Sequence, residues 1–339
     1  MVFDIKPEPG NPRNSEGDTI LLGDGRLLLA WSHFKGREDH ATADVCDIIS
    51  DDGGVTWGPE RVLVSAEEAE LNVMSVSLLR EALTGDLLLF YLRKNSLADC
   101  QLFLRRSVDE GETWGAPRRI SSRDGYHVMN NARVVQLASG RLLAPVALTP
   151  DYGETRHQNA FCYISDDGGV TWREGRGSTD IAESAVGCQE PGLVDLGQRT
   201  LMYIRSDQGY IYGAISTDGG ETWGLPAPFR DLPAPAAPAT IARLPGGRLV
   251  ALYNHRPDGA QAGWADRTPL AAAASDDGGD SWQRLEDIEP STDYCYGYTS
   301  FRVYGENIAL TYYVWPRGAR AGFEQTTLRF RMLPLDRLR

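Results

Sequence analysis

The sequence predicts an all-β chain built as a six-bladed β-propeller. Two interleaved repeats and one absence predict it. The first repeat is an octapeptide, S-x-D-x-G-x-[ST]-W, present five times: SDDGGVTW at 50–57 and again at 165–172, SVDEGETW at 107–114, STDGGETW at 216–223 and SDDGGDSW at 275–282. The serines that open these boxes are 57, 58, 51 and 59 residues apart. The second repeat is a tight turn running into an apolar strand, present six times: GDGRLLLAWS (23–32), TGDLLLFYLR (84–93), SGRLLAPVAL (139–148), GQRTLMYIR (197–205), GGRLVALYN (246–254) and GENIALTYY (305–313). What is absent is any sustained helical periodicity. A period of fifty-odd residues with about four strands per unit marks a propeller. Dividing 339 residues by that period gives six units, the last without a box.

Each box position has a turn task. The Asp carboxylate accepts backbone N–H groups, the Gly supplies a positive φ, and the Trp brings roughly 150–250 Å² of aromatic surface to bury between neighbouring units. The boxes are therefore predicted as hairpin turns at the outer edges of the blades. Asp52, Asp109, Asp167, Asp218 and Asp277 then lie far from the axis and outside any chemistry. No linker interrupts the repeat, so residues 1–339 are expected to form one domain. The Pro/Ala stretch DLPAPAAPAT (231–240) falls between two units and reads as a connection.

Lys and Arg number 34 against 47 Asp and Glu, a formal charge of −13. That balance argues against nucleic acid and anionic membranes as partners. An anionic substrate would need a local concentration of arginines. The opening MVFDIKPEPG lacks the apolar core of a signal peptide, and no segment is long and apolar enough to span a membrane. Five cysteines (46, 100, 162, 188 and 295) are scattered without metal-ligand spacing, and an odd count favours free thiols in a reducing compartment. The expectation is a cytoplasmic protein, a monomer or simple homo-oligomer, that needs no metal or cofactor and takes a small molecule or glycan as its partner.

Propellers bind ligands at one end of the axis, so the informative residues are polar ones that recur where strands begin. Glu190 lies nine residues before Arg199 of GQRTL, and Tyr298 nine before Asn307 of GENIAL. Both are expected to open the innermost strand of their unit, with Arg13, Asn130 and Asn131 near the same place in theirs. A second register, eight residues before each box serine, holds Thr42, Asp99, His157, Gln208 and Arg267, all polar and so facing a wet cleft. Arg205 closes the apolar strand TLMYI, a position that calls for an anionic partner. Asp39, with His40 beside it, lies eleven residues before the first box. Arg93 and Arg133 are further arginines able to compete for an anion-binding role.

In this order the residues resemble the bacterial and animal sialidases, six-bladed propellers with the same boxes, over essentially the whole chain. That family's order of Arg, Asp, Glu, Arg, Arg, Tyr is matched by Arg13, Asp39, Glu190 in CQEPGLVDL, Arg205, Arg267 in DRTPLAAAAS and Tyr298 in GYTSF. The resemblance implies a retaining exo-sialidase. Arg13, Arg205 and Arg267 would clamp the carboxylate on the anomeric carbon with charge-assisted, bidentate hydrogen bonds. Tyr298, activated by Glu190, would be the nucleophile, since a neutral phenol avoids the repulsion an anionic nucleophile meets there. Asp39 would serve as general acid and base. His40, Asn131 and His157 would line the sugar site. The first arginine departs from the family's aromatic-Arg-Ile-Pro motif, standing in Asn11-Pro12-Arg13-Asn14, and Glu16 and Asp18 follow closely enough to compete for its charge. Two other readings fit the same residues. One is a sialidase-fold enzyme acting on a different acidic sugar, by hydrolysis or by β-elimination with His40 and Tyr298 as base and acid. The other is a glycan-binding propeller without chemistry, against which the complete set of Asp39, Glu190 and Tyr298 argues.

Overall fold

A computed structural model describes residues 1–257, 266–318 and 325–339. Its described residues form strands and a few single-turn 3-10 helices, such as Ala66–Glu68. No helix among them is long and apolar enough to cross a membrane. After a short N-terminal strand β1 (Val2–Ile5), the chain runs through six antiparallel meanders. The first holds β2 (Arg13–Leu21), β3 (Leu27–Phe34), β4 (Ala43–Ser50) and β5 (Arg61–Val64). The second holds β6 (Asn72–Arg80), β7 (Leu87–Lys94), β8 (Asp99–Ser107) and β9 (Arg118–Arg119). In the third, β10 (Gly125–Val128) and β11 (Val135–Gln136) both pair with β12 (Leu142–Thr149), followed by β13 (Asn159–Ser165) and β14 (Arg173–Glu174). The fourth holds β15 (Gln189–Asp195), β16 (Thr200–Arg205), β17 (Tyr210–Ser216) and β18 (Ala227–Pro233), and the fifth β19 (Thr240–Arg243), β20 (Leu249–Asn254), β21 (Leu270–Ser275) and β22 (Gln283–Glu289).

The sixth meander, β23 (Tyr294–Tyr304), β24 (Asn307–Pro316) and β25 (Thr327–Pro334), takes its outer strand from the other end of the chain. β1 pairs antiparallel with β25, Val2 opposite Arg331 and Ile5 opposite Leu328. This explains why the last unit has no box: its fourth strand does not follow its third in sequence. A parallel pairing of β8 with β10 at Gly125–Asp99 and Tyr126–Cys100 joins the second and third meanders into one nine-stranded sheet.

The second strand of each meander is the apolar run noted in the sequence, and it is buried on both faces. Leu28, Leu29 and Ala30 of β3 and Leu88, Leu89 and Phe90 of β7 are fully buried. Such strands read as continuous apolar runs rather than as alternation because neither face meets water. The boxes fall between third and fourth strands, at equivalent turns. In the first, Ser50 Oγ donates to Asp52 Oδ1 at 2.9 Å and accepts from Gly54 N at 2.7 Å, while Thr56 N and Oγ1 both donate to the Asp52 carboxylate. The box Trp packs on the preceding meander. Trp172 meets Phe90 edge-on at 5.7 Å, and Trp57 of the first meander meets Phe330 of the sixth at 5.2 Å. Gly54 has a φ of +96°, and a Cβ there would stand 2.5 Å from the Phe330 ring, so glycine is required for both the turn and the approach.

Hydrogen bonds from Thr hydroxyls and amides hold the Asp52, Asp109 and Asp167 carboxyls at about 2, below the ordinary 3.8. A depressed carboxyl contributes stability that is complete above its ordinary value and is lost as pH falls through the depressed one. Replacing the box aspartates by asparagine should therefore lower Tm at neutral pH and flatten its fall between about pH 4 and pH 2. Thermal unfolding scans across that range check this, and an unchanged slope would contradict it.

Candidate active site

Four inner strands share one irregularity, and it builds the site. Pairing of the first strand with the second skips two residues between Ser15 and Asp18, Met74 and Ser77, Gln189 and Gly192, and Gly297 and Ser300. In each bulge the first skipped residue has a positive φ: Glu16 (54°), Ser75 (65°), Glu190 (47°) and Tyr298 (57°). Ala132, ahead of β11, has a φ of 57° in the third meander. A bulge re-aims one side chain out of the alternation of its strand. A left-handed conformation at a non-glycine residue costs on the order of 1–3 kcal/mol and persists only where surrounding contacts impose it. For Glu190 the following Pro191 narrows the backbone choices further. All four side chains are buried.

Glu190 and Tyr298 thus occupy equivalent bulges, Glu190 at the opening of β15 as expected and Tyr298 inside β23 rather than at its opening, and they meet. Tyr298 Oη donates to Glu190 Oε1 at 2.8 Å, and Arg205 Nη1 donates to Glu190 Oε2 at 2.7 Å. Burial pushes the Glu190 carboxyl up, but Arg205 and the Tyr298 hydroxyl bring it below the ordinary carboxylate value. The same burial, with the Glu190 charge beside it, raises the Tyr298 phenol well above its usual value. Arg267, fully buried, lies with its guanidinium carbon 5.5 Å from the centre of the Tyr298 ring and donates from Nη2 to Ala236 O. Its affinity for a proton is lowered by burial and by the neighbouring Arg205 charge. On the other side of Tyr298 the Tyr313 ring stacks at 4.6 Å and 7°.

Arg13 belongs to the same cluster. Its Nη1 donates to Asp39 Oδ1 at 2.7 Å, and its guanidinium lies 4.1 Å over the Phe34 ring. Glu16 accepts from Ser75 Oγ at 2.6 Å and from Tyr313 Oη at 3.0 Å, and burial raises its carboxyl above the ordinary value. Asp18 does not compete for Arg13. Fully buried, it forms a two-pronged pair with Arg302 of β23 and accepts from Leu78 N, tying the first, second and sixth meanders together. A cavity of about 80 Å³ joins Arg13, Glu16, Asp39, Lys94, Glu190 and Tyr298. A cavity of about 760 Å³ lies elsewhere, among Asp4, Tyr294 and Arg329, and contains none of these groups.

Other expectations need correction. Asn131 does not face the cavity: its Nδ2 donates to Gly17 O and Tyr298 O, so the amide holds the Tyr298 main chain. Its neighbour Asn130 lines the cavity and is buried, with an Nδ2 that meets no acceptor. His157 stands outside the cluster, bonded to Asp180 at 2.8 Å and to Ser184 O, because its loop turns it toward the segment before β15. Of its register, Asp99 is occupied by Asn95 and Gln101 and Gln208 by Asp207, and Arg267 alone enters the cluster. His40 is exposed at the rim beside Asp39, and burial together with Lys94 lowers its proton affinity. Arg93 pairs with Glu68 and packs over Phe103.

Two groups in the cluster were missed in the sequence. Lys94 ends an apolar strand just as Arg205 does, which is the signal that could have found it. Tyr313 carries no local signal. Glu16 does lie where its charge acts on Arg13, as its nearness in sequence suggested. A group of possible metal ligands was also missed: His33 on β3, Cys46 on β4 and Glu60 just ahead of β5 bring one ligand atom each within 4.8 Å of one another.

Arg133 is fully buried but belongs to the scaffold. It donates to Tyr203 Oη at 2.6 Å and Ala239 O at 2.9 Å. Arg133→Met should cost about 2–4 kcal/mol, because two buried acceptors lose their donor. A denaturant titration checks this, and a loss below about 1 kcal/mol would contradict it.

Comparison with known proteins adds to this geometry. Residues 25–308 match the BNR repeat-like domain family. The sialidase of Micromonospora viridifaciens is 28% identical over 257 residues, covering 67% of this chain and 37% of that protein, so the chain spans well under half of that relative. The solved structure of the Hadza microbial sialidase Hz136 superposes with a TM-score of 0.79 at 17% identity, over 100% of this chain and 69% of the other. That of the intramolecular trans-sialidase from Ruminococcus gnavus superposes with a TM-score of 0.76 at 14% identity, over 97% and 96%. The bulged inner strands, the repeated boxes and the family match lead to one conclusion: this chain belongs to the BNR repeat-like domain family of the sialidase superfamily.

Proposed function

We propose that the protein is a retaining exo-sialidase whose six meanders are the blades of a closed propeller. The observation that carries this reading is the hydrogen-bonded run from Tyr298 through Glu190 to Arg205. A tyrosine whose hydroxyl is given to a carboxylate, itself held by an arginine, is arranged to lose its proton at the moment of attack. Closure is supported by β1 pairing with β25 and by Trp57 packing on Phe330.

In the proposed reaction Arg205, Arg267 and Arg13 hold the sugar's carboxylate. The planar guanidinium forks orient the anomeric carbon over Tyr298. Tyr298 Oη attacks that carbon as its proton passes to Glu190, and Asp39 protonates the departing glycosidic oxygen. A covalent glycosyl-tyrosine results. Asp39 then takes a proton from water, which attacks the same carbon, and Glu190 returns its proton to the Tyr298 oxygen as the sugar leaves with retained configuration. The substrate carboxylate competes with Asp39 for Arg13, so binding loosens the pair that holds the acid.

The first step also serves an intramolecular transfer in which a hydroxyl of the sugar replaces water, in keeping with the name of the Ruminococcus gnavus neighbour. The mass of the released sugar separates the two, since the transfer product lacks one water.

Activity on a fluorogenic sialoside, run beside uronides and neutral sugars, tests the reading. The sialoside should be turned over and the others not. Tyr298→Phe should lower turnover by roughly 10³-fold or more while binding is largely kept. Arg205→Lys should raise KM and lower kcat despite the preserved charge, because the fork is lost. Full activity in Tyr298→Phe would end this reading.

A further inference from the structure

Asp39, the proposed acid, sits on the exposed connection between β3 and β4, where the fold gives it no strand to hold it. Its main chain is nevertheless fixed from the second meander. Lys94 Nζ donates to Asp39 O at 2.8 Å and Asn72 Nδ2 to the same oxygen at 2.9 Å, while Asn72 Nδ2 also donates to Ala41 O at 2.9 Å. Asn72 and Lys94 are direct cross-strand partners on β6 and β7, and both are buried. Burying a lysine is expensive unless it is paired, and among the described residues no carboxylate lies within ion-pair distance of Lys94. A neutral donor could hold a loop carbonyl at less cost. Burial lowers the proton affinity of Lys94, the Asp39 and Glu16 charges work against that, and its Nζ stands where an ammonium charge is felt by the Asp39 carboxyl.

We propose that Lys94 is a positioning residue for the Asp39 acid, pinning its loop jointly with Asn72 and bringing its ammonium beside the Asp39 carboxyl. This rests on the reading of Asp39 given above. The charged and titratable groups that face Asp39 are Arg13 and Glu16 from β2, Lys94 from β7, Tyr126 from β10, Tyr152 from the connection after β12, and His40 from its own loop. Burial pushes the Asp39 carboxyl up, and Arg13 and then Lys94 bring it below the ordinary value. A substrate carboxylate that takes Arg13 removes the first of these cations from Asp39. Lys94 stays, so it sets how far the carboxyl can rise when the acid is needed. Removing its charge must raise the Asp39 carboxyl, and the alkaline limb of kcat/KM, which reports loss of the protonated acid, must move to higher pH.

The test compares two sialosides, one with a sugar leaving group that needs protonation and one with an acidic phenol that does not. Asp39→Ala, Lys94→Met and Asn72→Ala are each measured on both, with thermal unfolding to establish that each variant is folded. Lys94→Met should lose roughly tenfold or more activity on the sugar leaving group relative to the phenol, and its alkaline limb should shift upward. Asn72→Ala should show the same selectivity without the upward shift, since it loosens the pin and keeps the charge. If Lys94→Met does not fold, the Asn72→Ala selectivity carries the test. Equal losses on both substrates, or none, in the folded variants would overturn the proposal while leaving Asp39 as the acid. If Asp39→Ala itself is not selective for the leaving group, the Asp39 assignment fails and the proposal with it.

Discussion

The bulge in the inner strand is the constraint on which the rest depends. An ordinary strand alternates its side chains between two faces, and here both faces are covered by neighbouring meanders. Within a strand, a residue thrown out of that alternation points into the shared space that Arg13, Lys94 and Arg205 enter from strand ends. Glu16, Ser75, Glu190 and Tyr298 are placed in this way, each in a left-handed conformation that L-residues accept reluctantly. Their hydrogen bonds hold them there: Tyr298 to Glu190, Ser75 to Glu16, and Asn131 to the Tyr298 carbonyl. The strain and the site are the same feature.

Charge follows from that geometry. Arg13, Lys94 and Arg267 are buried beside Glu16 and Glu190, with Arg205 half-buried among them and Asp39 reaching in from an exposed loop, while the chain as a whole carries −13. Buried cations in this number stay charged only with anions close by, and the carboxyls present are shared among them. A carboxylate ligand would add an anion to this crowd of cations, which is how the proposed acidic sugar fits a chain of net negative charge. The fixed pair of Asp18 with Arg302 is a second set of charges, and it serves cohesion between meanders.

The scaffold was legible in the sequence because its chemistry is local. A box closes its turn with its own Ser, Asp, Gly and Thr, so five copies can be read without knowing what they touch. Glu190, Tyr298, Arg205 and Arg267 could be read because the repeat makes positions comparable and a charge ending an apolar strand demands a partner. Where sequence reasoning failed, the deciding contact lies far along the chain. β1 pairs with a strand more than 300 residues away, and nothing in VFDI announces it. Tyr313 matters because it stacks on Tyr298 and donates its hydroxyl to Glu16, a contact fixed only once the first and sixth meanders meet. Asn130 and Asn131 are adjacent and chemically identical, and only the local twist of the backbone decides that one lines the cavity while the other holds a carbonyl. His157 shared a register with Arg267 but lies on a loop that turns elsewhere, since registers constrain strands better than the connections between them.

The central claim is that Tyr298 forms a bond to the sugar. A sialic acid with fluorine at the anomeric carbon and at the carbon beside it tests this most directly. The first fluorine leaves readily, and the second withdraws electrons and slows release of the covalent intermediate. Intact-protein mass spectrometry followed by peptide mapping should find one added glycosyl group, on the peptide containing Tyr298 and on that residue, and none in Tyr298→Phe. A label on Glu190 or Asp39, or steady turnover of a sialoside with no label formed at any reagent concentration, would contradict the account.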